Sequence, residues 1–174
     1  MIKLKNEEKI NNSVYYPLIY RYVSTVVENF TKDVLAVVLF GSVARNTARP
    51  DSDIDMMILL KERSKEVERK LLDIDLSVCK WDETQQLLDK GIYTKIFAIL
   101  KTESELRNNP LILLDILDHG VILYDPEKKF TKLLSDLDKK LKELKAEKIV
   151  FEDSKWCWDL KPDWKPGEVV EIKL

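Results

Sequence analysis

Apolar side chains recur every three to four positions over residues 15–30, where Leu18, Ile19, Tyr22, Val23, Val26 and Val27 mark one face of a helix. The next apolar run, VLAVVLF at 34–40, is too short for a globular helix and has no polar face, which predicts a strand buried on both sides. Gly41 ends it. Residues 53–60 and 71–79 read as two further strands, and the charged KERSKEVERK between them reads as a solvated turn or short helix. A helix over 83–90 closes at Gly91, another over 111–118 stops at Gly120, and VILY at 121–124 resumes as a short strand. The run from 126 to 146 is amphipathic, with Phe130, Leu133, Leu134, Leu137, Leu141 and Leu144 on one stripe. Beyond it the chain changes character, carrying Trp156, Trp158, Trp164, Pro162 and Pro166. The pattern therefore predicts an α/β (α+β) fold, a mixed β-sheet of four to six strands flanked by helices. Residues 1–146 would form the main domain and 147–174 an aromatic, proline-containing extension.

Composition narrows the class. A chain of 174 residues fits one domain, and 45% hydrophobic with 34% charged residues describes a soluble globular protein. No apolar run approaches the roughly 20 residues that span a bilayer, and MIKLKNEEKI has no signal-peptide core, so a cytoplasmic location is expected. A net charge of −2 argues against an extended nucleic-acid footprint, which needs a basic face. Cys79, Cys157 and the single His119 share no metal-type spacing.

The candidate chemistry lies in LFGSVARNTARPDSDIDMMILL, residues 39–60. Alternate side chains share a strand face, so Asp53 and Asp55 would point the same way, about 6 to 7 Å apart, at the start of an apolar strand. Two bare carboxylates there repel and resist desolvation unless a cation joins them. Mg²⁺ suits them, since it shares one or two carboxylates with substrate phosphates. Gly41 would let the backbone approach a phosphate closely, and Ser42 would add its N–H and hydroxyl. Arg45 and Arg49, in the same connection, could reach the same anion. Two-metal phosphoryl chemistry calls for a third carboxylate. Asp73 and Asp75, alternating with apolar residues, both qualify, and Asp75 is favoured because it lies deeper in the apolar run.

Gly41-Ser42, a gap of ten residues, and Asp53-Ile54-Asp55 together resemble the signature of the DNA polymerase β-like nucleotidyltransferase superfamily, minimal nucleotidyltransferase branch, over about residues 34 to 80. The tail WDLKPDWKPGEVVEI resembles the ending of archaeal members of that group. The resemblance implies the nucleotidyltransferase fold, triphosphate binding by Gly41 and Ser42, metal binding by Asp53 and Asp55, and help from Asp75 in activating the nucleophile. It implies Mg²⁺-dependent transfer of AMP from ATP to an acceptor hydroxyl, with a HEPN-type toxin as the partner protein and an antitoxin role for this chain. Two other readings stand beside it: a non-catalytic module that binds nucleotide or a partner, and a small-molecule transferase of the aminoglycoside-modifying kind. Self-association is left open.

Overall fold

The computed structural model describes residues 2–151 and 156–174. The chain begins with a 3-10 turn, Glu7–Lys9, and helix α1, Tyr16–Asn29. Strand β1, Val34–Phe40, leads through the four-residue helix α2, Gly41–Ala44, to strand β2, Ile54–Leu60. Helices α3, Lys65–Val78, and α4, Asp82–Asp89, precede strand β3, Ile96–Thr102. Helices α5, Glu103–Asn108, and α6, Ile112–His119, lead to strand β4, Val121–Tyr124, and then to helix α7, Lys129–Glu143. Strands β5, Glu147–Val150, and β6, Trp156–Asp159, pair as a separate antiparallel ribbon.

The main sheet has the order β3-β2-β1-β4. β1 runs antiparallel to β2 and β4, whereas β2 and β3 are parallel, so the fold is the mixed, helix-flanked sheet that the sequence predicts. Both faces are buried. Val37 and Leu39 of β1 and Ile54, Met56, Ile58 and Leu60 of β2 pack on one side with α1 and with Leu71 and Val78 of α3. Ala36, Val38 and Phe40 of β1 and Met57 and Leu59 of β2 pack on the other, with Leu113 and Ile116 of α6 and the apolar stripe of α7. Burial on both faces is what makes VLAVVLF, and IDMMILL from Met56 onward, continuous hydrophobic runs. Among the described residues no helix is long and apolar enough to cross a membrane.

The expected strand at 71–79 is instead the second half of α3. Parallel pairing of β2 with β3 requires a crossover of a dozen residues or more, and α3 with α4 supplies it. The period-2 alternation of LLDIDLSV coexists with Val67, Leu71, Ile74 and Val78 at helical spacing, and Ser64 caps the helix by accepting from the Val67 N–H at 3.1 Å. β3 itself, at 96–102, is a strand that the hydrophobic pattern did not disclose. β2 is an inner strand, so Asp53 and Asp55 lie at the end of the sheet rather than on an edge strand.

The described part of residues 147–174 packs onto the second helical layer. Trp158, Leu160, Ile172 and Leu174 lie against its core, and the Leu174 N–H donates to the Arg107 carbonyl at 3.0 Å. Glu152, Asp153, Ser154 and Lys155 of the extension lie outside the described residues. Cys79 and Cys157 are both free and exposed.

Candidate active site

β1 ends where the chain turns sharply, and the register sets Phe40 opposite Asp55. Gly41 therefore sits against the Asp55 side chain. Its φ is +71°, in the left-handed region, and a Cβ built there would fall 2.0 Å from Asp55 Oδ2. Only glycine satisfies both demands. The turn is closed behind it by the Thr47 N–H donating to the Ser42 carbonyl at 2.9 Å.

Asp55 is half-buried and Asp53, just before β2, is exposed. Burial first, and the neighbouring Asp53 second, push the Asp55 carboxyl above its ordinary value, while Arg45 pulls it down and Asp115 adds to the rise. Arg45, at the C-terminal cap of α2, is partly buried. Its Nη1 donates to Asp115 Oδ1 at 2.7 Å. Arg49 differs: its side chain is exposed, and only its backbone is tethered. Its N–H donates to Ser52 Oγ at 2.9 Å, and its carbonyl accepts from the Tyr15 hydroxyl at 3.3 Å. The structure thus brings Gly41, Asp53, Asp55 and Arg45 together and holds Arg49 in the same loop.

Asp75 instead lines a cavity of about 230 Å³ with Thr94, Lys95 and Ile96, next to the loop before β2. Asp75 is on α3, whose apolar residues pack under the sheet face opposite the one Asp55 shares with Met57 and Leu59. There Asp75 Oδ1 accepts a hydrogen bond from the Tyr22 hydroxyl at 2.7 Å. Burial raises the Asp75 carboxyl, the Tyr22 hydrogen bond offsets part of the rise, and neither Asp53 nor Asp55 contributes. Tyr22 is raised in turn by burial and by Asp75. Asp73, the alternative, is exposed on the same helix. The β3 position opposite Asp55 is Phe97, 57% exposed. Among the described residues no group of three or more His, Cys, Asp or Glu side chains is placed to hold a metal ion.

This placement gives a first expected result. Asp75→Asn, which keeps an acceptor for Tyr22, should change stability by no more than about 1 kcal/mol. Asp75→Ala leaves the buried phenol unpartnered and should cost about 1 to 3 kcal/mol. Neither should alter nucleotide binding, as thermal melts with and without Mg-ATP would establish. Loss of the ATP effect in Asp75→Asn would return Asp75 to the site.

Two residues that sequence reasoning missed stand close to the site. Asp115 lies on α6, about 60 positions from the motif, inside an apolar helix where nothing local marks it. Ser52 precedes Asp53 and ties the loop to Arg49. The three tryptophans of the extension belong elsewhere. Trp158 and Trp164 line a cavity of about 670 Å³ with Ile149 and Leu160, Trp156 lies under Lys148 at 4.6 Å, and the Trp164 indole donates to the Glu168 carbonyl at 2.8 Å. His119 Nε2 lies 3.0 Å from Asp118 Oδ2.

A family model described as a nucleotidyltransferase domain matches residues 19–167, most of the chain. The chain belongs to the nucleotidyltransferase domain family. Comparison with curated proteins gave no match. Among solved structures, the chain is similar to one from a crystal structure of a toxin-antitoxin with AMP-PNP, at 15% identity over 72% of this chain and 91% of that one, with a TM-score of 0.45. It is also similar to a chain in the structure of the tri-AMPylated Shewanella oneidensis HEPN toxin in complex with MNT antitoxin, at 13% identity over 74% and 88%, with a TM-score of 0.45. In this family member the glycine turn and the two aspartates lie at the ends of two adjacent strands, and Asp75 is hydrogen-bonded to Tyr22.

Proposed function

We propose that the protein binds ATP at the Gly41-Ser42 turn and transfers its AMP group to an acceptor hydroxyl. The observation that carries the reading is the contact of Gly41 with Asp55: a turn without a side chain lies against one carboxylate of a pair, in a chain of the nucleotidyltransferase family. In the reaction the acceptor oxygen forms a bond to the α-phosphorus, the bond to the bridging oxygen breaks, pyrophosphate leaves and the hydroxyl proton is released. Gly41 leaves room for the phosphates, the N–H groups of Ser42 and Val43 and the Ser42 hydroxyl donate to them, and Arg45 and Arg49 balance their charge. The donor set suits a hard divalent cation, since Asp53 and Asp55 offer carboxylate oxygens and Mg²⁺ commonly completes such a pair with phosphate oxygens and water. Bound there, Mg²⁺ supplies charge neutralisation on the triphosphate. Orientation of the two reactants by the rigid strand ends supplies much of the remaining acceleration. We assign this chemistry to residues 1–146, with 147–174 as an extension bracing the second helical layer, and place it in the cytoplasm.

The resemblance to the minimal branch supports an acceptor hydroxyl on a HEPN-type partner protein, with this chain as antitoxin. A second reading, nucleotide binding without turnover, is favoured by Phe97 standing opposite Asp55 where a further carboxylate would complete a two-metal site. One experiment separates them. The full chain is incubated with Mg²⁺ and ATP labelled at the α-phosphate, alone, with a HEPN-type protein, and with cell lysate. Label on the HEPN-type protein is the expected result. Label on a small molecule or RNA would move the acceptor, and Mg-ATP stabilisation with no label anywhere would leave the binding module. Failure of Mg-ATP to raise the melting temperature would refute both, because a ligand of the folded state must stabilise it.

A further inference from the structure

We infer that Asp115 is a positioning residue, which holds the Arg45 guanidinium where a triphosphate can use it. The inference rests on the reading above that Arg45 faces the nucleotide. Arg45 ends a helix of only four residues and is followed by the long connection to β2, so little in its own segment fixes a side chain of that length. Asp115 sits on firmer ground. Its neighbours Leu113 and Ile116 are 0% and 1% exposed in the core, so α6 is anchored on the sheet and presents Asp115 from a fixed backbone. α2 and α6 pack against each other, and the two side chains meet at 2.7 Å with 29% and 27% of their surfaces exposed.

The contact is made through Nη1 alone, with Asp115 Oδ1. Nε and Nη2 keep their donors, and a guanidinium held at one corner can present a rigid edge to an anion. The helix that Arg45 ends also packs against β2, whose Asp55 lies against Gly41, so the pair stands beside the aspartates. Arg49 supplies the contrast. Its backbone is tethered by Ser52 and Tyr15, its side chain is exposed, and among the described residues it has no ion pair.

The opposite role, a lock in which Asp115 competes with phosphate for Arg45, predicts the opposite sign. Calorimetric titration of the full chain with ATP and Mg²⁺ decides, with thermal melts to establish that each variant is folded. Asp115→Ala should weaken ATP binding about tenfold, the scale on which partners that orient a binding group act. Asp115→Glu should restore part of it. The double variant Asp115→Ala with Arg45→Ala should bind no more weakly than Arg45→Ala alone, because Asp115 acts through Arg45, whereas Asp115→Ala and Arg49→Ala should combine additively. In the transfer assay the Asp115→Ala loss should appear in KM with kcat little changed. Tighter ATP binding by Asp115→Ala, or additive losses with Arg45→Ala, would overturn the inference. Unchanged affinity in Arg45→Ala would remove Arg45 from the nucleotide site and the inference with it, while leaving the aspartate pair standing. A wild-type chain without ATP affinity would overturn both.

Discussion

Gly41→Ala should abolish nucleotide binding and still leave a protein that folds with a lowered melting temperature. Two costs add at this position. A φ of +71° imposes a left-handed conformation that costs a residue with a Cβ roughly 1 to 2 kcal/mol, and the new methyl would fall 2.0 Å from Asp55 Oδ2. The neighbour that must give way is a side chain, so Asp55 would rotate and the strands would survive. The site would not. Displacing Asp55 separates the carboxylate pair at the same time as the methyl fills the space of the phosphates, and transfer should fall by at least about a hundredfold, equivalent to about 2.7 kcal/mol of transition-state stabilisation. The two costs can be separated by a double variant. In an Asp55→Ala background the carboxylate that clashes is gone and only the Cβ of residue 55 stays close, at 3.1 Å, so Gly41→Ala should lower the melting temperature less than it does in the wild type. Equal penalties in both backgrounds would mean that the conformation of the turn, and not its contact with Asp55, explains the glycine. Wild-type ATP affinity in Gly41→Ala would move the phosphate site elsewhere.

Much of this arrangement is legible in the sequence because its signals are local. The buried run 34–40, the glycine directly after it and the aspartates at the head of the next apolar run each follow from side-chain pattern, and β1, Gly41 and β2 fall where the pattern puts them. Pairing of β1 with β2 then brings Gly41 to Asp55 without further information. What was not legible depended on competition between two local signals or on distance along the chain. LLDIDLSV satisfies a strand period, but Ser64 caps a helix that runs through it, and the topology needs a crossover at that point. Asp75 is drawn with the helix to the Tyr22 side of the sheet. β3 is partly exposed along its length as an outer strand, so its mixed pattern, with Phe97 in solvent and Ala98 and Leu100 half-buried, gave no clean alternation. Asp115 reaches Arg45 only through the packing of α6 on α2, a relation that no spacing in the sequence encodes.

Asp55→Asn should make the metal-free protein more stable at neutral pH and at the same time remove its response to Mg-ATP. Burial and the adjacent Asp53 raise the Asp55 carboxyl above its ordinary value, so the folded chain holds this proton to a higher pH than the unfolded chain does. The stability linked to that proton is fully present below the unfolded value of 3.8 and is lost as pH rises through the raised folded value. Asparagine has no such proton. In metal-free buffer the melting temperatures of wild type and Asp55→Asn should therefore lie closest at low pH and diverge above it, with the variant higher. Asp75, raised by burial in the same direction, remains in both proteins and leaves a common slope. Addition of Mg-ATP at neutral pH should reverse the ranking, since the wild type gains RT ln(1 + [L]/Kd) and the variant gains little. The crossing of the two melting temperatures is the decisive signature: a carboxylate kept only for packing or hydrogen bonding would give no ligand-dependent inversion, and an Asp55→Asn variant stabilised by Mg-ATP as strongly as the wild type would exclude Asp55 from the metal and nucleotide site.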